Sequence, residues 1–91
     1  MDDSTFTPSI GKLVCTQRKI SVAGLHSMRL ADWTGNVVSI PSNTPLLVLK
    51  FDKGVSKREP YWKLFLLFGE TIVYMGFNAS DAGLHLRPAP V

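Results

Sequence analysis

The side chains that could take part in nucleophilic catalysis are few and far apart in this chain. There is one cysteine, Cys15, and there are two histidines, His26 and His85. Cys15 follows Leu13 and Val14 in an apolar run, a setting typical of a buried small residue, whereas nucleophilic cysteines occupy exposed, electropositive positions. A dyad of Cys15 with either histidine stays open as a remote alternative.

The carboxylates predict no general acid–base pair either. They stand at Asp2, Asp3, Asp32, Asp52, Glu59, Glu70 and Asp81. Apart from the N-terminal two, all fall in predicted turns or at loop edges, where charged groups are ordinarily solvated, and no two share a rigid element. Phosphate-binding glycine loops, nucleophile elbows and His-Glu-x-x-His motifs are absent. We therefore expect no catalytic residue and no enzyme.

A metal site or another cofactor is not expected. Structural zinc takes four ligands, and the cysteine and histidines supply only three soft candidates, widely separated in sequence. His85 lies between Leu84 and Leu86 and is predicted to be a surface residue of a strand. No pattern points to a small-molecule substrate.

Length and composition predict one small globular domain. The chain has 91 residues, 45% of them hydrophobic and 19% charged, which is typical of a folded domain with a thin core. The net charge of +3 permits a phosphate-bearing partner without requiring one. No signal peptide is visible, and the longest apolar run, residues 64–68, is too short for a membrane span. We expect a cytoplasmic location, in a host cell or in a virion if the protein is viral, and no membrane partner.

Short apolar runs separated by turn residues predict a mainly β domain over residues 10–87, with extended tails at 1–9 and 88–91. Gly69 is expected to turn the clearest hairpin, because glycine tolerates positive φ. Residues 78–83 are predicted to form one helical turn, with Asn78 as its cap and Gly83 as its stop. The predicted strand segments are 11–16, 19–23, 28–31 (weak), 36–40, 45–51, 61–68, 70–76 and 84–87.

The two faces of the 61–68 segment are both largely apolar. We expect this strand to be central and covered on both sides, either by a closed or nearly closed barrel or by a partner that binds the second face. Which face is core stays open at the level of sequence.

The order of these segments resembles an SH3-like small β-barrel of five to six antiparallel strands, with one helical turn before the last strand. The segment Tyr61 to Thr71 also resembles the hairpin of short barrel proteins encoded by bacteriophages, which usually act by binding. The motifs of the signalling SH3 domains are absent, so their proline-peptide groove is not implied here. The resemblance concerns the fold, which does not determine function.

The long segment from Gly24 to Thr44 is a candidate protein-binding surface. It carries Trp33, Arg29 and Met28, and these residue types are favoured at the centres of interfaces. The alternative is that Trp33 folds back over the core. The candidate interface residues are Arg29, Trp33, Tyr61 and Trp62, and we expect the partner to be another protein or a second copy of this chain.

A basic segment after the 45–51 strand provides the second candidate. Its cations could contact phosphates while neighbouring aromatic rings stack on bases. Asp52 and Glu59 cancel part of the charge and favour the alternative, a solvated loop next to two core aromatics, Tyr61 and Trp62. The candidate nucleic-acid-binding residues are Lys53, Lys57 and Arg58, with Arg18 and Lys19.

Overall fold

The fold is a single antiparallel sheet of seven strands. The computed structural model describes residues 8–89. In chain order the strands are β1 (Leu13–Thr16), β2 (Ile20–Leu25), β3 (Trp33–Ile40), β4 (Pro45–Ser56), β5 (Glu59–Phe68), β6 (Thr71–Asn78) and β7 (Leu86–Pro88). In space their order is β3-β2-β6-β5-β4-β1-β7, and each neighbouring pair is antiparallel. The mainly β class is confirmed.

In the described part of the chain, helical structure is confined to short turns. One 3₁₀ turn, Leu30–Asp32, occupies the place of the weak predicted strand at 28–31, so that prediction was wrong. The backbone there bends because the Asp32 N–H donates to the Arg29 carbonyl and the His26 N–H donates to the Asp32 carbonyl. A tight turn closed by such bonds cannot also supply a strand edge.

The predicted helical turn before the last strand is present. A 3₁₀ turn, Ala79–Asp81, continues into one turn of α-helix, α1 (Ala82–His85), and then into β7. Gly83 lies within α1 instead of ending it, and the Asn78 side chain makes no capping hydrogen bond. The helical turn and the N-cap position of Asn78 are therefore as predicted, whereas the prediction that Gly83 ends the turn was wrong.

The sheet is not closed as a barrel, and its seven described strands exceed the five to six that the SH3-like resemblance implied. Within residues 8–89, β3 and β7 form its two edges and no pairing joins them. β7 has three residues and ends at Pro88, which lacks the N–H needed to extend a ladder. Pro88 pairs with Val14 and Pro8 is buried, so these parts of the predicted tails are packed. The rest of both tails, residues 1–7 and 90–91, lies outside the described residues.

The sheet is nevertheless curled around one core on its inner face. Ile40 from one edge strand and Leu86 from the other belong to the same buried cluster, with side chains from the five strands between them. The loop after β3 is fastened to the end of β1 by the buried Thr16, whose hydroxyl donates to the Pro41 carbonyl (2.7 Å) and accepts from the Thr44 N–H (2.9 Å). These bonds draw the two edges towards each other without pairing them.

A β-bulge in β4 determines which side chains of its second half point to the core. The register with β5 shifts between Val48 and Lys50, so Leu49 has no partner of its own. Strict alternation along a strand would place Val48 and Lys50 on one face, and the bulge places them on opposite faces. Lys50 pairs with Phe65 on the outer face, while Phe51 packs against the core.

Candidate functional site: the outer face and the β3 edge

The outer face of the sheet carries an apolar row that crosses six strands. Each member pairs with the next through the observed registers, so the row runs perpendicular to the strands. Leu25 is buried, whereas Leu13 and Trp33, at the two ends, are exposed. Leu47, Leu67 and Ile72 are half-buried. From β1 to β3 the row is Leu13, Leu47, Leu67, Ile72, Leu25 and Trp33.

The row ends at β3, the longer of the two edge strands. β3 has eight residues, pairs with β2 alone among the described strands, and contains neither a charged residue nor proline. The uncharged stretch continues from Trp33 to Leu49. On the outer face Trp33 is 55% exposed and Val37 is 68% exposed. Unprotected edges of this kind are where a sheet accepts a further strand.

The opposite edge is protected. β7 has three residues and ends in proline, and the Arg87 guanidinium donates a 2.8 Å hydrogen bond to the Asn43 side-chain oxygen. A short edge strand with a charged side chain and a proline resists addition of another strand. The two edges therefore differ in length, charge and capacity to pair.

Trp33 is held at the surface rather than folded over the core. Its register partner is Leu25 on the outer face, and its indole N–H donates to the Asn36 carbonyl of the same strand (3.3 Å). Arg29 is exposed in the turn that precedes β3. That turn is braced by Ser27, whose hydroxyl donates to the Asp32 carboxylate. Of the two alternatives for Trp33, the structure supports exposure.

Trp62 and Tyr61 point to opposite faces. Trp62 is 5% exposed in the core, where its ring meets Phe51 edge-on (5.0 Å between centroids, 78°). The candidate interface at Trp62 is therefore not available at the surface. Tyr61 is half-buried on the outer face, but it pairs with Asn78 at the end of the sheet opposite Trp33. The four predicted interface residues thus do not form one patch.

Next to the apolar row lies an aromatic group on β5 and β6. Phe65 packs against Tyr74 (5.4 Å between centroids), and the Lys50 ammonium lies 5.6 Å from the Phe65 ring. Gly76 leaves room for both tyrosines, because a Cβ there would lie 2.6 Å from the Tyr61 hydroxyl and 2.7 Å from the Tyr74 hydroxyl. Burial, followed by the neighbouring Tyr61 and a hydrogen bond with it, raises the pKa of the Tyr74 hydroxyl.

The basic segment is an arm of two strands rather than a loop. β4 and β5 remain paired up to Ser56 and Glu59, beyond the last β5–β6 pair at Tyr61 and Asn78. Lys57 and Arg58 form the tip, and both have positive φ (52° and 69°). The tip is exposed, and no third strand of residues 8–89 pairs with the arm beyond Tyr61.

The other predicted basic residues lie elsewhere. The Lys53 ammonium lies 5.8 Å from the Phe51 ring at the base of the arm. Arg18 and Lys19 precede β2 and line a cleft between β2 and β6. Since β2 begins where β6 ends and β5 begins, the cleft and the arm belong to the same end of the sheet.

The cysteine and the histidines considered for catalysis have different surroundings. Cys15 is buried, as its apolar run predicted. His85 is not a strand residue, because it ends α1 and stacks on Phe77 (5.1 Å, 29°). Among residues 8–89 no cluster of three His, Cys, Asp or Glu side chains is suited to hold a metal ion. In the same part of the chain, no helix has the length and apolar character needed to cross a membrane.

Comparison with known proteins places no relative beside this chain. No protein family, no curated protein and no solved structure matches it. The SH3-like and bacteriophage resemblance therefore stays a prediction.

Sequence reasoning missed the β3 edge, the row on the outer face and the cleft. The absence of charge from residue 33 to residue 49 is a signal that could have found the edge. The row had no comparable signal, because its six members come from six strands and meet only through their registers. The cleft had no such signal either, because it depends on where β2 and β6 stop pairing.

Proposed function

We propose that this chain is a non-catalytic protein-interaction module that assembles with further copies of itself along β3. The observation that carries the proposal is the free edge of β3: eight residues without charge or proline, with Trp33 and Val37 exposed beside it. Assembly of this kind fits the phage-encoded auxiliary or particle components that the sequence resembles.

The choice of a second copy as partner follows from symmetry and charge. Two β3 strands related by a two-fold axis perpendicular to the sheet pair antiparallel, and each strand satisfies the backbone groups of the other. The outer faces then lie on the same side, with the Val37 side chains near the junction. A chain of charge +3 repels its copies in general, and β3 belongs to the longest stretch that brings no charge to such a contact.

The test is the oligomeric state of two matched variants, Val37→Lys and Val55→Lys. Both valines are exposed strand residues, 68% and 78% respectively, but Val55 lies on the arm. Light scattering after gel filtration, over a concentration series and at high salt, should give a dimer for the unsubstituted chain. We expect Val37→Lys to raise the dimer Kd about tenfold or more, because two added charges meet at the junction, and Val55→Lys to leave it unchanged.

The proposal has two clear points of failure. A chain that stays monomeric across the concentration series overturns self-association. Equal weakening by Val37→Lys and Val55→Lys overturns the assignment to β3, because it attributes the effect to added charge alone. Trp33→Ala is expected to weaken the dimer as well, through loss of apolar contact beside the same edge.

Nucleic-acid binding is the second candidate function, and the geometry of the arm favours it. Two non-glycine residues at positive φ cost about 1–2 kcal/mol each, and the tip nevertheless presents Lys57 and Arg58. A two-stranded arm is narrow enough to enter a major groove. Arg18 and Lys19 lie at the same end of the sheet.

This second candidate predicts that log affinity for a mixed-sequence oligonucleotide falls with log salt by about 0.7–0.9 per phosphate contacted. The double variant Lys57→Ala with Arg58→Ala should reduce both the affinity and the slope. Binding that ignores salt, or that survives the double variant, removes nucleic acid from consideration.

A further inference from the structure

A cleft opens in the sheet between β2 and β6. The two strands pair only over three residues each, Ala23–Leu25 with Ile72–Tyr74. Beyond that point β2 still pairs with β3 as far as Ile20, and β6 still pairs with β5 as far as Asn78. The separated segments border an open cleft of about 440 Å³, a volume in the range of small-molecule sites.

The charge at the cleft is positive. Arg18 and Lys19 contribute to its wall, and none of its lining residues is a carboxylate. Among residues 8–89, no Asp or Glu lies within salt-bridge distance of either cation. Such a wall favours an anion, and a guanidinium beside an ammonium suits phosphate in particular.

The remaining walls are aromatic and polar. Phe77 and His85 stack on one another at the margin, and the Tyr74 ring contributes from the outer face. Ser21 adds a hydroxyl. Because residues 20–22 and 75–77 each have a strand neighbour on one side only, their backbone also offers hydrogen-bonding groups towards the cleft.

We propose that this cleft binds a nucleoside monophosphate, with the phosphate on Arg18 and Lys19 and the base in the gap between β2 and β6. The half-buried His85 ring, backed on one face by the buried Phe77, provides a stacking surface, and the one-sided strand segments provide partners for the polar edge of a heterocycle. The same chemistry occurs in a free nucleotide and at the end of a nucleic-acid strand, and the free nucleotide is the ligand proposed. The inference is independent of assembly along β3.

The first test is an amide NMR titration of the full chain with adenosine 5′-monophosphate, and with adenosine and inorganic phosphate separately. We expect shifts confined to residues 18–23, 74–77 and 85 with the nucleotide. Each half of the molecule alone should bind at least about tenfold more weakly, since it forfeits either the charged contacts or the stacking. No shifts with the nucleotide, or shifts centred on the arm at 52–60, would overturn the proposal.

A matched pair of charge reversals separates the cleft from general electrostatics. Arg18→Glu with Lys19→Glu and Lys57→Glu with Arg58→Glu change the net charge equally, and all four residues are exposed. The cleft variant should lose about tenfold or more of nucleotide affinity, while the arm variant keeps it within about twofold. Equal losses in both variants would overturn the site.

Two further measurements distinguish this inference from the functions proposed above. Val37→Lys should retain nucleotide binding even where it abolishes the dimer, because β3 lies on the other side of β2 from the cleft. Loss of nucleotide binding in a folded Val37→Lys chain would contradict this. A mixed-sequence oligonucleotide that binds when the mononucleotide does not would overturn the cleft as a nucleotide site and favour the nucleic-acid alternative.

Discussion

The two faces of β5 are alike in sequence and different in what covers them. On the inner face Trp62, Leu64 and Leu66 are buried in a core to which all seven strands contribute. On the outer face Phe65 packs against Tyr74 with the Lys50 ammonium near its ring, and Leu67 is half-buried. An apolar side chain on a strand therefore does not reveal whether a second layer covers it, and here the curl of the sheet supplies that layer on one face.

The largest expected effect comes from a substitution that tests this difference directly. Leu66→Ala should lower the free energy of unfolding by about 3 kcal/mol, because it leaves a cavity in the closed core. Leu67→Ala, on the adjacent residue, should cost about 1 kcal/mol, since its side chain is already partly in water. Urea unfolding of the two variants measures both values. Equal losses would mean that the outer face is covered as fully as the inner face.

A smaller effect on stability is expected at the tip of the arm. Lys57→Asn together with Arg58→Gly replaces two strained residues with the pair preferred when both turn residues have positive φ. We expect stability to rise by about 0.5–1 kcal/mol, because the relief of strain is partly offset by the greater entropy of unfolded glycine. Thermal unfolding measures the change. A loss of stability would indicate that the lysine and arginine side chains make contacts worth more than the strain.

The smallest effect is on the pH dependence of stability, and it arises at Tyr74 on the outer face. The pKa of Tyr74 is raised in the fold by burial and then by Tyr61, so the folded chain keeps this proton to higher pH than the unfolded chain. Stability is therefore unaffected well below the unfolded tyrosine pKa of about 10 and falls as pH rises above it.

The comparison of the unsubstituted chain with Tyr74→Phe isolates that contribution. The urea midpoint should fall from neutral to strongly alkaline pH in both chains. This fall should be larger in the unsubstituted chain than in the variant. Lysine titration affects both chains alike and cancels. Tyr61→Phe should give an intermediate loss, because it removes the neighbour and leaves the burial. If Tyr74→Phe loses as much stability at alkaline pH as the unsubstituted chain, the raised pKa of Tyr74 is contradicted.

The parts of the fold that the sequence predicted are those governed by adjacent residues. Gly69 turns the β5–β6 hairpin with a φ of 60°, and a helical turn precedes the last strand, both as expected. The burial of Cys15 also followed from its apolar neighbours. In each case a few consecutive residues contain the whole physical cause, through turn geometry or local hydrophobicity.

The candidate sites were predicted less well, since they depend on contacts between distant strands. The bulge at Leu49 reversed the expected faces of Lys50 and Phe51, and register placed Trp62 in the core and Trp33 at an edge.

The sequence by itself determined a mainly β chain with a hairpin, a helical turn and a basic segment. Only the tertiary structure decided which face is core, where the sheet ends and where β2 and β6 separate. Those outcomes depend on strand registers, and a shift of one residue exchanges the two faces of a strand.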